Sequence, residues 1–310
     1  MSVATIGTSA AASYRFKPYA HHPDISPARL ERYFSHALES TEARGGTRRW
    51  TYPWGLVELE RLDFDSRALE RPTGRLNWLI AAGEYGEQLD AKQRLLDAAL
   101  EEARQGAISH LSARVASEDL SSLHALEARG FRTLDTILTF SRRPEARPAP
   151  PRGVATRLAM PEDAAALRRI AESSFRHDRY HADPAISAGL ADRLHGSWVA
   201  NSLDGFADAV LVADVPSGLA GFTTVKIDRA SRRLLGVSIA TIVLAATAAE
   251  ARGRGVGREL TRALLEWAAD EGVERVEVGT QSRNLAACQL YSAAGFRLVG
   301  SSVSLRWLRA

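Results

Sequence analysis

Arg252 to Gly257 reads RGRGVG, and its residue types are those of an anion cradle. Gly253, Gly255 and Gly257 remove side chains where a backbone must approach an anion closely. Arg252, Arg254 and Arg258 add formal positive charge. An amphipathic helix follows at once, so its free N–H groups and positive dipole end face the same spot. The chemistry implied is binding of a pyrophosphate. A plain glycine turn and a dinucleotide site are the alternatives. A dinucleotide site, however, opens its domain and carries an acid about 20 residues further on, whereas this cradle comes late, after several strands.

A second chemically dense stretch is Phe175 to Pro184, FRHDRYHADP. Arg176 and Arg179 suit a diphosphate, and Tyr180 with Trp198 could stack on a base or a sugar face. His177 and His181 are four apart and could share a helix face. They read as a general base or proton relay, as a metal pair, or as ordinary polar wall residues. No third ligand is evident, so no metal is expected. Asp183, before Pro184, reads as a helix N-cap. The lone cysteine, Cys288, rules out an intrachain disulfide or a cysteine cluster. It lies beside Ala286 and Ala287, with no base in view, and reads as a buried helix residue.

The elements that must position these groups follow from pattern and punctuation. Arg142 to Gly153 reads RRPEARPAPPRG, and Pro144, Pro148, Pro150 and Pro151 predict an extended spacer. It divides the chain into residues 1–147 and 148–310. Beyond it, strands are expected at Val154–Leu158, Ala209–Ala213 and Ala220–Ile227, within Leu234–Ala246, and around Val276 and Val278. Pro216-Ser217-Gly218 is a turn. Helices are expected at Pro161–Ser174, about Pro184–Leu203, Gly257–Asp270 and Asn284–Ala294, and Phe296–Leu308 closes the chain as strand. The class is α+β with a crowded central sheet. The front half repeats part of the back half. Ser117–Phe131 (SEDLSSLHALEARGF) parallels Ser282–Phe296 (SRNLAACQLYSAAGF), each preceded by an amphipathic helix, which points to an internal duplication.

Composition bounds the function. The 310 residues are 45% hydrophobic and 25% charged, with net charge +3. Two domains of ordinary globular composition fit these values. The basic residues are scattered and nearly all Arg, so no nucleic-acid partner is expected. No apolar run reaches membrane-spanning length, and Met1–Ser13 does not read as a secretory leader, so the expectation is a cytoplasmic protein with no membrane partner.

Arg252-x-x-Gly255-x-Gly257, followed by Asn284-x-x-Ala287-x-x-Leu290-Tyr291-x-x-x-Gly295-Phe296, resembles the motif pair of the GNAT superfamily of N-acetyltransferases. The resemblance covers essentially 153–310. It implies tandem folds of that type, each with a mostly antiparallel sheet and a splayed strand pair, and acetyl-CoA as the cofactor. It further implies that backbone groups of Leu244, Ala245 and Ala246 pair with the pantetheine arm and acetyl carbonyl. Amides from Gly253 through Val256 to Arg258 would hold the pyrophosphate, Asn284 would contact the cofactor arm, and Tyr291 would lie near the thioester sulfur. Tyr291 could then protonate the leaving thiolate, and direct transfer is favoured over an acyl-Cys288 route.

The front copy lacks these parts. It has no glycine between Glu87 and Gln105, and it carries Leu126 and Asp119 where the second has Tyr291 and Asn284, so it is expected to be non-catalytic. Arg176, Arg179, Tyr180, Trp198 and Asn201 more loosely resemble the acceptor wall of sugar-nucleotide amine acetyltransferases of the TDP-fucosamine type. A small-molecule amine is therefore the expected acceptor. A protein N-terminus, a lysine or an antibiotic amine is the second reading, and a non-catalytic coenzyme A-binding regulator the third. A homodimer is left open.

Overall fold

A computed structural model describes residues 8–144, 154–216 and 218–309. Two compact units form, one from Met1–Thr136 with Ser301–Ala310, the other from Ile137–Gly300. The chain is therefore not divided by a single cut near 147. Most of the proline-rich spacer, like Ser217 of the expected turn, lies outside the described residues. The last ten residues belong to the first unit because their strand is hydrogen-bonded into its sheet.

In the first unit, α1 (Thr8–Ser13) and α2 (Pro27–Glu42) precede β1 (Thr47–Tyr52) and β2 (Gly55–Arg61). Then follow α3 (Asp63–Ala68), β3 (Thr73–Ala81), α4 (Tyr85–Gln105), β4 (His110–Ala116), α5 (Leu120–Ala128) and the start of β5 (Arg132–Arg142). β1, β2 and β3 are antiparallel, β4 runs parallel to β3, and Ser302–Leu308 pairs antiparallel with β4. Leu95, Leu96, Ala99, Leu100 and Ala103 recur at helical spacing on α4 and bury against Val57, Leu76, Leu111 and Leu305.

The second unit contains β6 (Ala155–Leu158), α6 (Ala164–Ser174), α7 (Arg179–Ala182), α8 (Ala188–Asn201), β7 (Ala209–Val215) and β8 (Gly218–Asp228). It continues with α9 (Ser231–Leu235), β9 (Ile239–Thr247), α10 (Val256–Asp270), β10 (Arg275–Gln281), α11 (Leu285–Ala293) and β11 (Arg297–Leu308), whose residues from Ser301 onward lie in the first unit. β6 to β9 form an antiparallel meander, β9 and β10 are parallel, and Ile137–Arg142 of β5 pairs antiparallel with β10. Val256, Leu260, Leu264 and Ala268 of α10 cover β7 to β9 through Leu211, Phe222 and Ile242.

Two expected elements shift. The helix assigned to Pro184–Leu203 begins at Ala188, because Ser187 rather than Asp183 supplies the cap, accepting from the Leu190 amide at 3.4 Å. Asp183 instead accepts from the Ala185 amide at 2.9 Å and closes the preceding turn. The run from Leu234 is split by Gly236, at φ 74°, which ends α9 before β9 begins.

The duplication is geometric as well as sequential. Asp119 (φ −81°, ψ 70°) and Asn284 (φ −84°, ψ 70°) cap equivalent nine-residue helices. Gly130 and Gly295 follow at φ 84° and 79°. The parallel run Thr73–Leu76 with His110–Ala113 matches Ile239–Ile242 with Arg275–Val278, and the antiparallel register skips Asn77 in one unit and Val243 in the other. Among the described residues, no helix is long and apolar enough to cross a membrane.

Candidate active site

The cleft begins where two parallel strands part. β9 and β10 are paired only as far as Ile242 and Val278, although β9 runs on to Thr247 and β10 to Gln281. A bulge at Val243 sits at the fork and bends β9 away. Strand alternation then decides which backbone groups enter the gap. The Leu244 amide donates to Thr224 Oγ1 of β8 at 3.1 Å, and the Ala248 amide donates to the Ala220 carbonyl at 2.9 Å. Leu244 and Ala246 are thus turned toward β8. Ala245 and Thr247 turn their backbone groups the other way, into the splay. Of the three residues expected there, only Ala245 faces the gap, and Thr247 joins it. The bulge hid this parity from the sequence.

The glycine cradle closes one end of the cleft. Gly253 and Gly255 adopt φ 75° and 84°, the left-handed region that L side chains rarely enter, and the space beside both is open. Gly257 is needed for another reason. A Cβ there would lie 3.2 Å from Leu290 and 3.8 Å from Thr247 Oγ1, so its smallness lets α10 dock on α11 and the end of β9. The first amides of this 15-residue helix have no intrahelical acceptor. Val256 is buried and anchors the turn, while Arg252, Arg254 and Arg258 are exposed and form no ion pair among the described residues. Glu259, the acid of the first turn, is buried and held by Arg262 Nε at 2.8 Å, which reduces its repulsion toward an anion.

α11 supplies the second wall. Asn284 Oδ1 caps it by accepting from the Ala287 amide at 3.2 Å, which leaves its Nδ2 without a partner among the described residues. Tyr291 is the one buried residue of this helix, with its ring between Phe140 (6.3 Å) and Phe296 (5.6 Å). Burial pushes its phenol well above the ordinary tyrosine range. Its hydroxyl has no hydrogen-bond partner among the described residues. Cys288 is half-buried rather than buried, its thiol 3.8 Å from the Gln281 carbonyl oxygen, because α11 lies at the surface of the unit.

The first unit fills the equivalent positions. α4 begins at Tyr85, so helix covers the stretch equivalent to the cradle. Lys92 stands where the second unit has Gly257, and its buried ammonium lies 2.9 Å from Asp119 Oδ1 and 2.8 Å from Ser121 Oγ. Leu126 replaces Tyr291 and is buried.

The Phe175–Pro184 stretch adjoins the splay. Ser174 Oγ donates to the Thr247 carbonyl at 3.3 Å, and Arg283 Nε donates to the His177 carbonyl at 3.0 Å. The two histidines do not share a helix face, because Asp178 caps α7 and His177 precedes it. His177 is exposed, and its ring has no partner among the described residues. His181 is held at both nitrogens, Nδ1 being 2.5 Å from Asp178 Oδ2 and Nε2 3.0 Å from Asp192 Oδ1.

Arg176 is paired with Asp192 at 2.5 Å. Arg179 donates to the Tyr180 hydroxyl at 2.6 Å. Tyr180 is buried with its ring edge-on to Trp198 at 5.5 Å, whereas Arg176 and, at the end of α8, Asn201 are exposed. Sequence reasoning missed Asp178, Asp192 and His195. His195 stacks on Phe175 at 4.3 Å and donates from Nδ1 to the Ala191 carbonyl at 2.8 Å. Burial holds its ring below the ordinary imidazole range. Its only sequence signal was its four-residue spacing from Ala191 on an apolar helix.

Residues 165–296 match the family model described as Acetyltransferase (GNAT) family. The chain is 28% identical over 192 residues to the dTDP-fucosamine acetyltransferase of Escherichia coli O6:H1, covering 60% of this chain and 76% of that one. It is 23% identical over 257 residues to the spore coat polysaccharide biosynthesis protein SpsD of Bacillus subtilis (80% and 84%). It is 29% identical over 241 residues to the mycothiol acetyltransferase of Tsukamurella paurometabola (72% and 74%). Among solved structures, a GCN5-related N-acetyltransferase from Sphaerobacter thermophilus has a TM-score of 0.62 at 16% identity, covering 98% of this chain and 94% of that one. A tandem GNAT protein from the clavulanic acid biosynthesis pathway has a TM-score of 0.57 at 17% identity (97% and 93%). At these identities the structural likeness concerns the fold.

Proposed function

We propose that the second unit, whose residues 165–296 match the acetyltransferase (GNAT) family model, transfers an acetyl group from acetyl-CoA directly to a primary amine of a small molecule, a nucleotide-linked amino sugar being the acceptor class. The observation that carries this is the splay beyond Ile242 and Val278, opening beside the left-handed Gly253 and Gly255 turn. The turn suits a pyrophosphate, since open space lies beside Gly253 and Gly255 directly before a helix N-terminus.

Acetyl-CoA, when bound, supplies the activated acyl group. The amides of Gly253 to Arg258 and the guanidinium groups of Arg252, Arg254 and Arg258 hold its pyrophosphate. Ala245 and Thr247 present backbone groups to the pantetheine arm and thioester carbonyl, and a donor aimed there stabilises the oxygen as charge builds on it. Asn284 Nδ2 serves the same arm. Tyr291 gives its phenolic proton to the departing sulfur, and burial keeps that proton on the oxygen at working pH. The amine must lose a proton before it attacks. His177 takes it, because its ring is exposed and unengaged, whereas both nitrogens of His181 already face carboxylates.

The names of the E. coli and B. subtilis relatives, which concern an amino sugar and a polysaccharide, support this acceptor class. Thiol release from acetyl-CoA tests it against a dTDP-linked amino sugar, a free amino sugar, a lysine peptide and an aminoglycoside. The sugar nucleotide is expected to lead by about 10-fold or more in kcat/KM. A faster peptide or aminoglycoside would overturn the acceptor class, and binding of acetyl-CoA with no turnover on any amine would make the chain a regulator.

A further inference from the structure

The fold brings together what the sequence kept apart. Asp178, His181 and His195 each bring a ligand atom within 4.8 Å of the others, Asp178 Oδ2 lying 2.5 Å from His181 Nδ1 and 3.7 Å from His195 Nε2, on side chains only 13%, 5% and 2% exposed. Each of their other polar atoms is already committed. Asp178 Oδ1 caps α7 by accepting from the Tyr180 and His181 amides at 2.8 and 3.2 Å. His181 Nε2 faces Asp192 Oδ1 at 3.0 Å, and His195 Nδ1 faces the Ala191 carbonyl at 2.8 Å.

A carbonyl oxygen can only accept, so the proton of the neutral His195 ring sits on Nδ1 and the lone pair sits on Nε2. That lone pair points at a carboxylate oxygen 3.7 Å away, too far for a hydrogen bond. Two electron-rich atoms facing each other in a buried place are stabilised by a cation between them. Two ligands of a tetrahedral zinc ion sit about 3.3 Å apart, given bonds of about 2.0–2.1 Å. Outer acceptors on both imidazoles, one a carboxylate and one a backbone carbonyl, are the supports that metal-binding histidines ordinarily have.

We propose that Asp178, His181 and His195 form a binding site for a divalent transition metal of the zinc class, which pins the Phe175–Asp183 loop to α8. Two imidazoles and one carboxylate suit that class of ion. On binding, three bonds form, to Asp178 Oδ2, His181 Nδ1 and His195 Nε2. His181 Nδ1 gives up its proton, to solvent from a doubly protonated ring or to Nε2 from a neutral one, so that the bound ring is neutral and its Nε2–H donates to Asp192. Water takes the fourth position. The site goes beyond the acyl-transfer reading and does not depend on it.

The test uses full-length, tag-free protein, freed of metal by a chelator and then titrated with Co²⁺ in the visible region and with Zn²⁺ by calorimetry. One ion per chain is expected, with intense Co²⁺ bands of four-coordinate type and Zn²⁺ binding tighter than about 10 µM. Asp178→Asn and His195→Gln should each weaken Zn²⁺ binding by about 100-fold, in the range lost when a metal site is damaged, while His177→Ala leaves it unchanged. Wild-type binding weaker than that limit, or variants that bind like wild type, would overturn the site. Acetyl-CoA binding by each variant, read separately, shows that the unit is folded and keeps a failure here distinct from a failure of the acetyl-transfer reading.

Discussion

In the proposed reaction Tyr291 and His177 would carry the two proton transfers, and their environments are opposite. Tyr291 is buried with its pKa raised by desolvation, so it remains a phenol throughout the range in which an amine substrate is usefully deprotonated. Tyr291→Phe keeps the ring contacts with Phe140 and Phe296. It is expected to lower kcat by about 100-fold, the low end for an acid catalyst, with acetyl-CoA affinity unchanged and the same loss from pH 6 to 9. Steady-state kinetics beside calorimetry checks this, and a Phe variant with full turnover would reduce Tyr291 to packing.

The raised pKa also has a stability consequence. The neutral phenol is favoured in the fold, so its contribution is fully present below the unfolded value near 10 and is lost as pH rises beyond it toward the folded value. Alkaline denaturation should therefore be less steep in Tyr291→Phe. His177→Ala should lower kcat/KM most on the acid side of the profile, where the amine needs a base, and an unchanged profile would leave the proton to water.

At the scale of elements, the cradle is a turn that works because two residues lack a Cβ for conformational reasons and a third for packing. Gly255→Glu places a side chain in the left-handed region, at a strain of roughly 1–2 kcal/mol, and would add a negative charge against the proposed pyrophosphate. Acetyl-CoA binding is expected to fall by more than about 100-fold, a loss of roughly 2.7 kcal/mol or more, while the exposed site spares the core. Gly255→Ala, which brings strain without charge, should lose less. Equal losses in both would make backbone shape rather than charge the cause.

Over the whole molecule, two consequences follow from the duplication and the way the chain is divided. The first unit covers its cradle position with helix and fills the Gly257 position with the Lys92–Asp119 pair, so calorimetry should find one acetyl-CoA per chain; two would sink this reading. The C-terminal strand stabilises the unit farthest from it in sequence, because Leu305 and Trp307 lie in the core of the first unit. Leu305→Ala is expected to cost about 2–5 kcal/mol, seen as a lowered first transition in calorimetry, with acetyl-CoA affinity retained. A loss confined to acetyl-CoA binding would contradict the assignment of this strand.

Local chemistry was legible in the sequence alone. Glycine spacing before an amphipathic helix and the repeated helix–Gly-Phe–strand unit rest on interactions between near neighbours, where residue type decides conformation. What required the tertiary structure was every property set by distant pairing. Ala245 and Thr247, not Leu244 and Ala246, face the splay because a bulge formed against β8 sets the parity of β9. His181 is closed off by Asp178 and Asp192, and His195 comes beside Asp178 through the packing of α8. Residues 301–310 cross into the first unit because β4 offers them an open edge. Such contacts join residues far apart along the chain, and no local pattern encodes which of the available partners a strand edge or a side chain will find.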